Sequence, residues 1–435
     1  MNLLNGLENL KVKDLTMICA IAACAERGSS IQGLLQKNMV KKLVTSHVGE
    51  NALIVDQFKK GQLEVDLQPL GTLVEKARCG GFGIPGSYTQ TGVGTFIEEG
   101  GVPTMMSTNG KTVISVNLAK QKREFKGKEC LFERSFSSDF ALVKAWKCDT
   151  KGNAVLKPAF INTNPDFAVN GKICIVEADE VVEPGKLDGD DIHISGIFVH
   201  RILKAASLPV KPAGCCMGKT CEAPNEFMAR RAAKEIKNGD YVVLGPGMAS
   251  HVDKFAKEVD AYFVYPQTGV FGALHTEASS ENMVDGCMNP IKLRKNAAIC
   301  RTSDAFSGVR GKHMNMIIVD GYQVSKEGDL ANIECGDRVF PSPGVLMDLA
   351  ACSTPLVVLM PMTAKYGPTL VDACKFKVSG RKCVNKVITE AGVFDFRGGK
   401  LTLAEMAPGF TVEQIRSMTK CKIQIADDLK FTKLD

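Results

Sequence analysis

The chain reads as an α/β protein built from two similar halves, and three observations predict that. Short β-branched runs alternate with longer helical segments, one strand-turn unit recurs without a gap, and a Pro-, Gly- and Cys-rich stretch separates two parts of similar size. Strands separated by helices argue for a parallel sheet. The alternation begins with an extended run from Leu15 to Ala20 and helical character over Ser30 to Gln36. A second extended run over Val40 to Thr45 and helical character over Glu50 to Lys60 follow. The recurrence sets Asp139-Phe-Ala-Leu-Val-Lys-Ala-Trp-Lys-Cys-Asp-Thr-Lys-Gly-Asn153 against Asn315-Met-Ile-Ile-Val-Asp-Gly-Tyr-Gln-Val-Ser-Lys-Glu-Gly-Asp329. Each copy is a buried strand, a small residue, an aromatic and a turn closing on Gly152 or Gly328. A duplicated domain explains the shared spacing better than chance reuse of a strand-turn vocabulary. The stretch Leu208-Pro-Val-Lys-Pro-Ala-Gly-Cys-Cys-Met-Gly-Lys-Thr-Cys-Glu-Ala-Pro224 has the composition of a linker. The organisation expected is a first domain over 1–202, a linker over 203–224 and a second domain over 225–435, with a site at the junction.

Composition narrows the function classes. At 435 residues the chain is too long for one ordinary core. Its net charge of +6 is spread among Asp and Glu without a long basic run, which argues against a nucleic-acid partner. No apolar run is long enough to span a bilayer. The sixteen cysteines include no Cys-x-x-Cys pair, and the cluster Cys215, Cys216 and Cys221 has no nearby His. Neither a metal site nor a disulfide framework is expected; Cys19, Cys300 and Cys352 read as small hydrophobes in a reducing compartment. His193, His200, His275 and His313 show no triad or metal spacing and read as structural or surface groups. Residues Met1 to Leu10 have neither a secretory nor a transit-peptide pattern, so import into an organelle would need a presequence not seen here.

Three glycine loops could present backbone N–H groups to an anion or a developing oxyanion. Tyr241-Val-Val-Leu-Gly-Pro-Gly-Met-Ala-Ser250 is a strand, a Gly-x-Gly turn and the start of a helix. Cys79-Gly-Gly-Phe-Gly-Ile-Pro-Gly86 is a second loop, and Pro341-Ser-Pro-Gly-Val-Leu-Met-Asp348 a third, with donors near Gly344 ahead of a helix. Taken singly these loops are weak signals, because α/β domains also use them simply to turn the chain.

A resemblance covers nearly the whole chain, from about Val12 to the C-terminus. It is carried by Val48-Gly-Glu-Asn51, Gly61-Gln-Leu-Glu-Val-Asp66, Phe140-Ala-Leu-Val-Lys-Ala-Trp146, Asp191-Ile-His-Ile194 with Val199-His-Arg201, Gln323-Val-Ser-Lys-Glu-Gly-Asp-Leu-Ala-Asn332, and Lys382-Cys-Val-Asn-Lys-Val-Ile-Thr-Glu390. These segments resemble the class I, glutamate-dependent coenzyme A transferases of the succinyl-CoA:3-oxoacid type. The resemblance implies two related open α/β domains, and moving CoA from succinyl-CoA to a 3-oxo acid in ketone-body catabolism. It further implies a mitochondrial setting, and assembly as a homo-oligomer, such as a dimer, or with another protein. Coenzyme A would be a substrate or weak ligand, with no permanently bound cofactor and no metal.

In that family a Ser-Glu-Asn-Gly turn supplies a glutamate that attacks the acyl-CoA thioester. Counting from the Gly-x-Gly loop at Gly245, the family spacing lands without a gap on Gln267, where Pro266-Gln-Thr-Gly-Val-Phe-Gly272 stands in place of Ser-Glu-Asn-Gly-x-Leu-Gly. A primary amide is a far poorer nucleophile than a carboxylate. Downstream, Ser280-Glu-Asn282 spells part of the motif without its Gly, leaving Glu281 as the rescue candidate by sequence. The resemblance assigns coenzyme A contacts to Gly245, Gly247, Gly269, Gly344 and Asn332. Other departures fall at site segments too. The family's opening strand and Gly-rich loop would precede Met1, so the first domain is expected to be truncated at its start. The family's Asn-Asn-Ala-Gly reads Ala20-Ile-Ala-Ala23, and its Pro-Gln-Gly-Thr reads Pro69-Leu-Gly-Thr72 with Leu70 for a polar contact. Its Gly-Gly-Ala-Met-Asp reads Pro343-Gly-Val-Leu-Met-Asp348, with one extra residue. The expectation is a catalytically impaired homologue in a structural or partner-binding role, with an active transferase as the alternative. The exposed start should be covered by Met1 to Leu10 or by a partner chain.

Overall fold

The computed structural model describes residues 2–22, 30–49, 51–206, 225–277, 283–286, 289–334, 336, 339–340 and 342–433. The first half opens with the helix Asn2–Asn9, which packs on the helix Ser30–Gln36 and sends Leu4 and Leu7 into a core shared with Leu15, Leu35, Leu43 and Val65. That core lies on a three-stranded parallel sheet of Leu15–Ile18, Val40–Thr45 and Glu64–Leu67, with Leu43 opposite both Met17 and Val65. The first strand stops at Ile18, two residues short of the expected run, although Cys19 N–H still bonds the Val44 carbonyl of the neighbouring strand. The helix Ala52–Lys59 starts where Asn51 caps it, its side chain accepting from the Ile54 N–H, as the sequence suggested to within two residues.

A four-stranded sheet follows, ordered Ala154–Val155, Ser138–Asp149, Gly171–Val182, Arg201–Lys204, with the last three parallel. The strand Arg201–Lys204 runs past the expected domain limit at Ile202, because Leu203 and Lys204 stay paired with Glu177 and Ala178. Residues 207–224, with the Cys215, Cys216 and Cys221 cluster, lie outside the described residues, as do Glu281 and Pro341. Between the two sheets the chain folds into antiparallel hairpins over 86–134, for which the sequence offered no signal.

The second half is a ten-stranded mixed sheet. Its centre is five parallel strands in the order Tyr262–Tyr265, Tyr241–Leu244, Met316–Asp320, Leu356–Leu359, Lys386–Ile388. Alternate residues feed two cores: Val243, Ile317, Val319 and Val358 face one way, and Val242, Leu244, Ile318 and Val357 the other. Strands covered on both faces explain why these segments read as unbroken apolar runs. The halves do not merely abut. The helix Leu70–Gly81 of the first half buries Leu70 and Val74 in the same core as Val243, Phe306 and Leu349 of the second.

The recurrent unit folds twice in the same way. Asp149 N–H bonds the Asn153 carbonyl and Ser325 N–H the Asp329 carbonyl; Gly152 and Gly328, both at positive φ, bond back to Asp149 and Ser325. The Asp149 carboxylate and the Ser325 hydroxyl accept from the backbone N–H groups two and four residues on. The hairpin pairs match as well, Cys148 with Ala154 and Val324 with Leu330. The copies differ at one place. The first runs as a single strand, Ser138–Asp149, whereas the second breaks into Met316–Asp320 and Gln323–Ser325.

Candidate functional site

In an open parallel sheet the natural ligand crevice lies beyond the carboxyl ends of the strands. Three neighbouring strands end here on Gln267's turn, on the Gly245-Pro-Gly247 loop and on Asp320. Gln267 sits in the single turn Pro266–Thr268, closed by Gly269 in the left-handed region. A side chain at Gly269 would lie 2.0 Å from the Cys300 carbonyl oxygen, so only glycine lets the turn close against that strand. The Gln267 carbonyl accepts from the Thr302 hydroxyl at 3.3 Å, while the Thr302 N–H bonds Asn162 of the first half at 2.8 Å. Gln267 therefore stands at the seam between the halves.

Its side chain is packed away. The amide lies against Gly286, where a Cβ would meet Nε2 at 1.8 Å, and Oε1 is buried without a hydrogen-bond partner among the described residues. Asp285, one residue earlier, belongs to a buried chain of three groups: His275 Nδ1 lies 2.8 Å from Asp253 and its Nε2 2.9 Å from Asp285. Burial opposes charge on this imidazole, but the two carboxylates outweigh it and push the pKa up to about 9. His275 thus corrects the expectation of histidines without a constellation. Its partners are 22 residues before it and 10 after it, a spacing that matches no motif. His193 and His200 do play the structural part foreseen, accepting from the Leu156 and Cys174 N–H groups.

The glycine loops spend their donors inside the protein. Gly245 N–H goes to Ile318 O, Gly269 N–H to Pro266 O, and Gly344 N–H to Ser46 O, so Gly344 does not offer the donor expected of it. Gly247, at φ +98°, leads into the 3₁₀ helix Met248–Phe255, whose first two N–H groups bond the Asp320 carboxylate at 2.6 and 2.8 Å. Asn332 gives its Nδ2 to the Asp320 carbonyl at 3.1 Å and leaves Oδ1 buried without a partner among the described residues. Leu70, 1% exposed, is a core side chain rather than the wall of a ligand cleft. Its N–H bonds the Gly344 carbonyl at 2.7 Å, joining the start of a first-half helix to a second-half loop.

Two further carboxyl groups lie at the seam: Asp348, which ends the Pro343-to-Asp348 segment singled out by sequence, and Asp166, which carried no sequence signal. Asp348 accepts from Gly71 N–H and from the Thr72 and Thr91 hydroxyls, and Asp166 accepts from the Ser303 hydroxyl at 2.9 Å. Both are fully buried, and burial raises each pKa from 3.8 to about 6. Among the described residues no cluster of His, Cys, Asp and Glu could hold a metal ion, and no helix is long and apolar enough to cross a membrane.

Comparison with known proteins agrees with this architecture. The sequence profile of the Coenzyme A transferase family matches residues 1–205 and 225–417. The chain is 32% identical to the mitochondrial succinyl-CoA:3-ketoacid coenzyme A transferase 2 of Homo sapiens, over 99% of this chain and 85% of that protein. It is 31% identical to the mitochondrial succinyl-CoA:3-ketoacid coenzyme A transferase 2A of Rattus norvegicus, again over 99% of this chain and 85% of that protein. The crystal structure of the acyl-CoA transferase YdiF from Escherichia coli O157:H7 superposes with a TM-score of 0.78 at 20% identity, covering 99% of this chain and 89% of that one, which establishes the shared fold. The chain is a member of the coenzyme A transferase family, of the type represented by the mitochondrial succinyl-CoA:3-ketoacid enzymes.

Proposed function

We propose that this family member no longer carries out the family's covalent chemistry and acts in a structural or partner-binding role, in the mitochondrial setting of its relatives. The observation that carries the reading is the Gln267 side chain, an amide turned against Gly286 with its oxygen buried, in the turn where the resemblance expects the family's nucleophile. In the family's reaction the glutamate oxygen adds to the thioester carbonyl and expels CoA thiolate. The thiolate then attacks the glutamyl carbonyl and releases the acyl group as a carboxylate. An amide nitrogen, its lone pair delocalised, cannot open that sequence. Loss of a covalent nucleophile lowers turnover by a factor on the order of 10⁴ to 10⁶. Leu70 stands where the resemblance expects a polar coenzyme A contact and is buried in the core instead, which supports weak coenzyme A binding, as an occasional ligand rather than a substrate. Assembly with a second copy or another chain is part of the same reading.

The second reading, an active transferase moving CoA from succinyl-CoA to a 3-oxo acid, is favoured by identity along nearly the whole chain to the human protein. Glu281 is its rescue candidate. The two separate in one experiment: incubation with succinyl-CoA or acetoacetyl-CoA, then mass spectrometry of the intact protein, beside the Gln267→Glu variant. The expected result is no CoA adduct on the natural chain. An adduct on Glu281 would establish the active reading.

A further inference from the structure

The Gly245–Ala249 segment is shaped to receive an anion, and the chain supplies one. Met248 N–H and Ala249 N–H, the first two donors of the helix Met248–Phe255, converge on the two oxygens of Asp320. Gly247 is fitted to that carboxylate, because a Cβ there would lie 2.1 Å from Asp320 Oδ2. Comparison of the two repeats gives a second observation. The position equivalent to Asp320 in the first half is Lys144, which stays inside an unbroken strand and pairs with Glu177 and Asp179. In the second half the strand ends at Asp320 and the next begins at Gln323, with Asn332 fixing the Asp320 carbonyl. The interruption frees the carboxylate to turn onto the loop.

We infer that Asp320 is a resident anion that occupies this loop and closes it to carboxylate or phosphate groups of a ligand. The inference deepens the proposed function and rests on it only for the identity of the excluded ligand; the occupancy itself is independent of Gln267. Without the carboxylate, two aligned N–H groups at a helix start would be open to an external anion.

The experiment compares the full-length natural chain with Asp320→Ala, titrating inorganic phosphate, succinate and coenzyme A separately by calorimetry, with thermal melting followed across the same series. The expected result is that Asp320→Ala binds phosphate or succinate at least about ten-fold more tightly than the natural chain, and that phosphate raises its melting temperature but not that of the natural chain. A folded variant with no gain for either small anion overturns the inference. A gain seen with coenzyme A alone also overturns it, since the new contacts would then lie outside the loop. If Asp320→Ala does not fold, the isosteric Asp320→Asn decides. Losing the charge should still bring phosphate-dependent stabilisation, and its absence would sink the idea. Failure of the Gln267 reading would show instead as a CoA adduct on the natural chain with Asp320 intact.

Discussion

Asp348 caps a helix that belongs to the other half of the chain: its Oδ2 lies 2.7 Å from the Gly71 N–H at the start of Leu70–Gly81. The helix begins with no capping side chain of its own, since Pro69 precedes it. The Gly344 carbonyl takes the Leu70 N–H and the Asp348 carboxyl the next. A Cβ on Gly71 would stand 2.8 Å from both Asp348 Cγ and the Phe306 ring, so the approach needs glycine. The same helix then buries Leu70 and Val74 in the second half's core. The seam is a packed joint.

Asp348→Ala should therefore destabilise the whole molecule. It leaves the buried Gly71 N–H and two threonine hydroxyls without their acceptor, a loss of about 1–3 kcal/mol. Urea unfolding would measure it. A midpoint unchanged from that of the natural chain would show that water replaces the cap.

The pH dependence of stability carries a second expectation. Asp348 and Asp166 are both raised from 3.8 to about 6, burial being the leading cause. Between these values the folded protein keeps protons that the unfolded chain releases, so stability falls as pH rises from about 4 to about 6 and the contribution is then constant. Asp166→Asn should flatten part of that slope, since the amide can still accept from Ser303 and never ionises. Melting temperatures at half-unit pH steps would show it; an unchanged slope in Asp166→Asn assigns the effect elsewhere.

The duplicated turn makes a paired comparison possible. Asp149 accepts from Lys151 N–H and Asn153 N–H at 2.9 Å and from Asn153 Nδ2 at 2.8 Å, with a charged acceptor. Among the described residues the Ser325 hydroxyl accepts only from two backbone N–H groups, at 3.3 and 3.1 Å. Charge-assisted bonds are roughly twice as strong as neutral ones. Asp149→Ala should cost about 2–3 kcal/mol and Ser325→Ala about 1 kcal/mol. Denaturant midpoints of the two variants test the order, and the reverse order would mean that the turns are not equivalent in solution.

Much of this was legible in the chain. Val40–Thr45 and Ser30–Gln36 could be bounded to the residue because apolar periodicity and turn residues coincide there. The repeat was visible because Gly152 and Gly328 must occupy positive φ, which constrains residue type. Gln267 was found by its distance from Gly245, and its place at the seam follows from the same sheet order. Asp320 and Asp348 were not legible as ligands of helix starts. Each acts on a segment 71 or more residues away, and a carboxylate at a strand end or early in a helix has many ordinary uses. The hairpins over 86–134 escaped notice because their strands are short and largely exposed, with little apolar alternation.

His275 was missed for a related reason, and it carries the last prediction. Its imidazole, 3% exposed, bridges Asp253 and Asp285, and Asp253 also takes its backbone N–H at 2.6 Å. The folded pKa is about 9 against an ordinary 6.5, so the stabilisation is complete below about 6.5 and is lost as pH rises through 9. Asp285 is the complementary case: burial pushes its pKa up, but His275 and Asn289 together hold it below the usual 3.8. His275→Gln removes the cation from between two buried carboxylates, and breaking a buried pair from one side costs roughly 3–5 kcal/mol. The variant should melt lower at pH 6 and lack the natural chain's decline between pH 7 and 9. Since Gly286 follows Asp285 and packs on Gln267, amide exchange should quicken at 283–286 and 267–269 together. Loss of stability without faster exchange at Gln267's turn would show that the histidine cluster supports the core and leaves the turn alone.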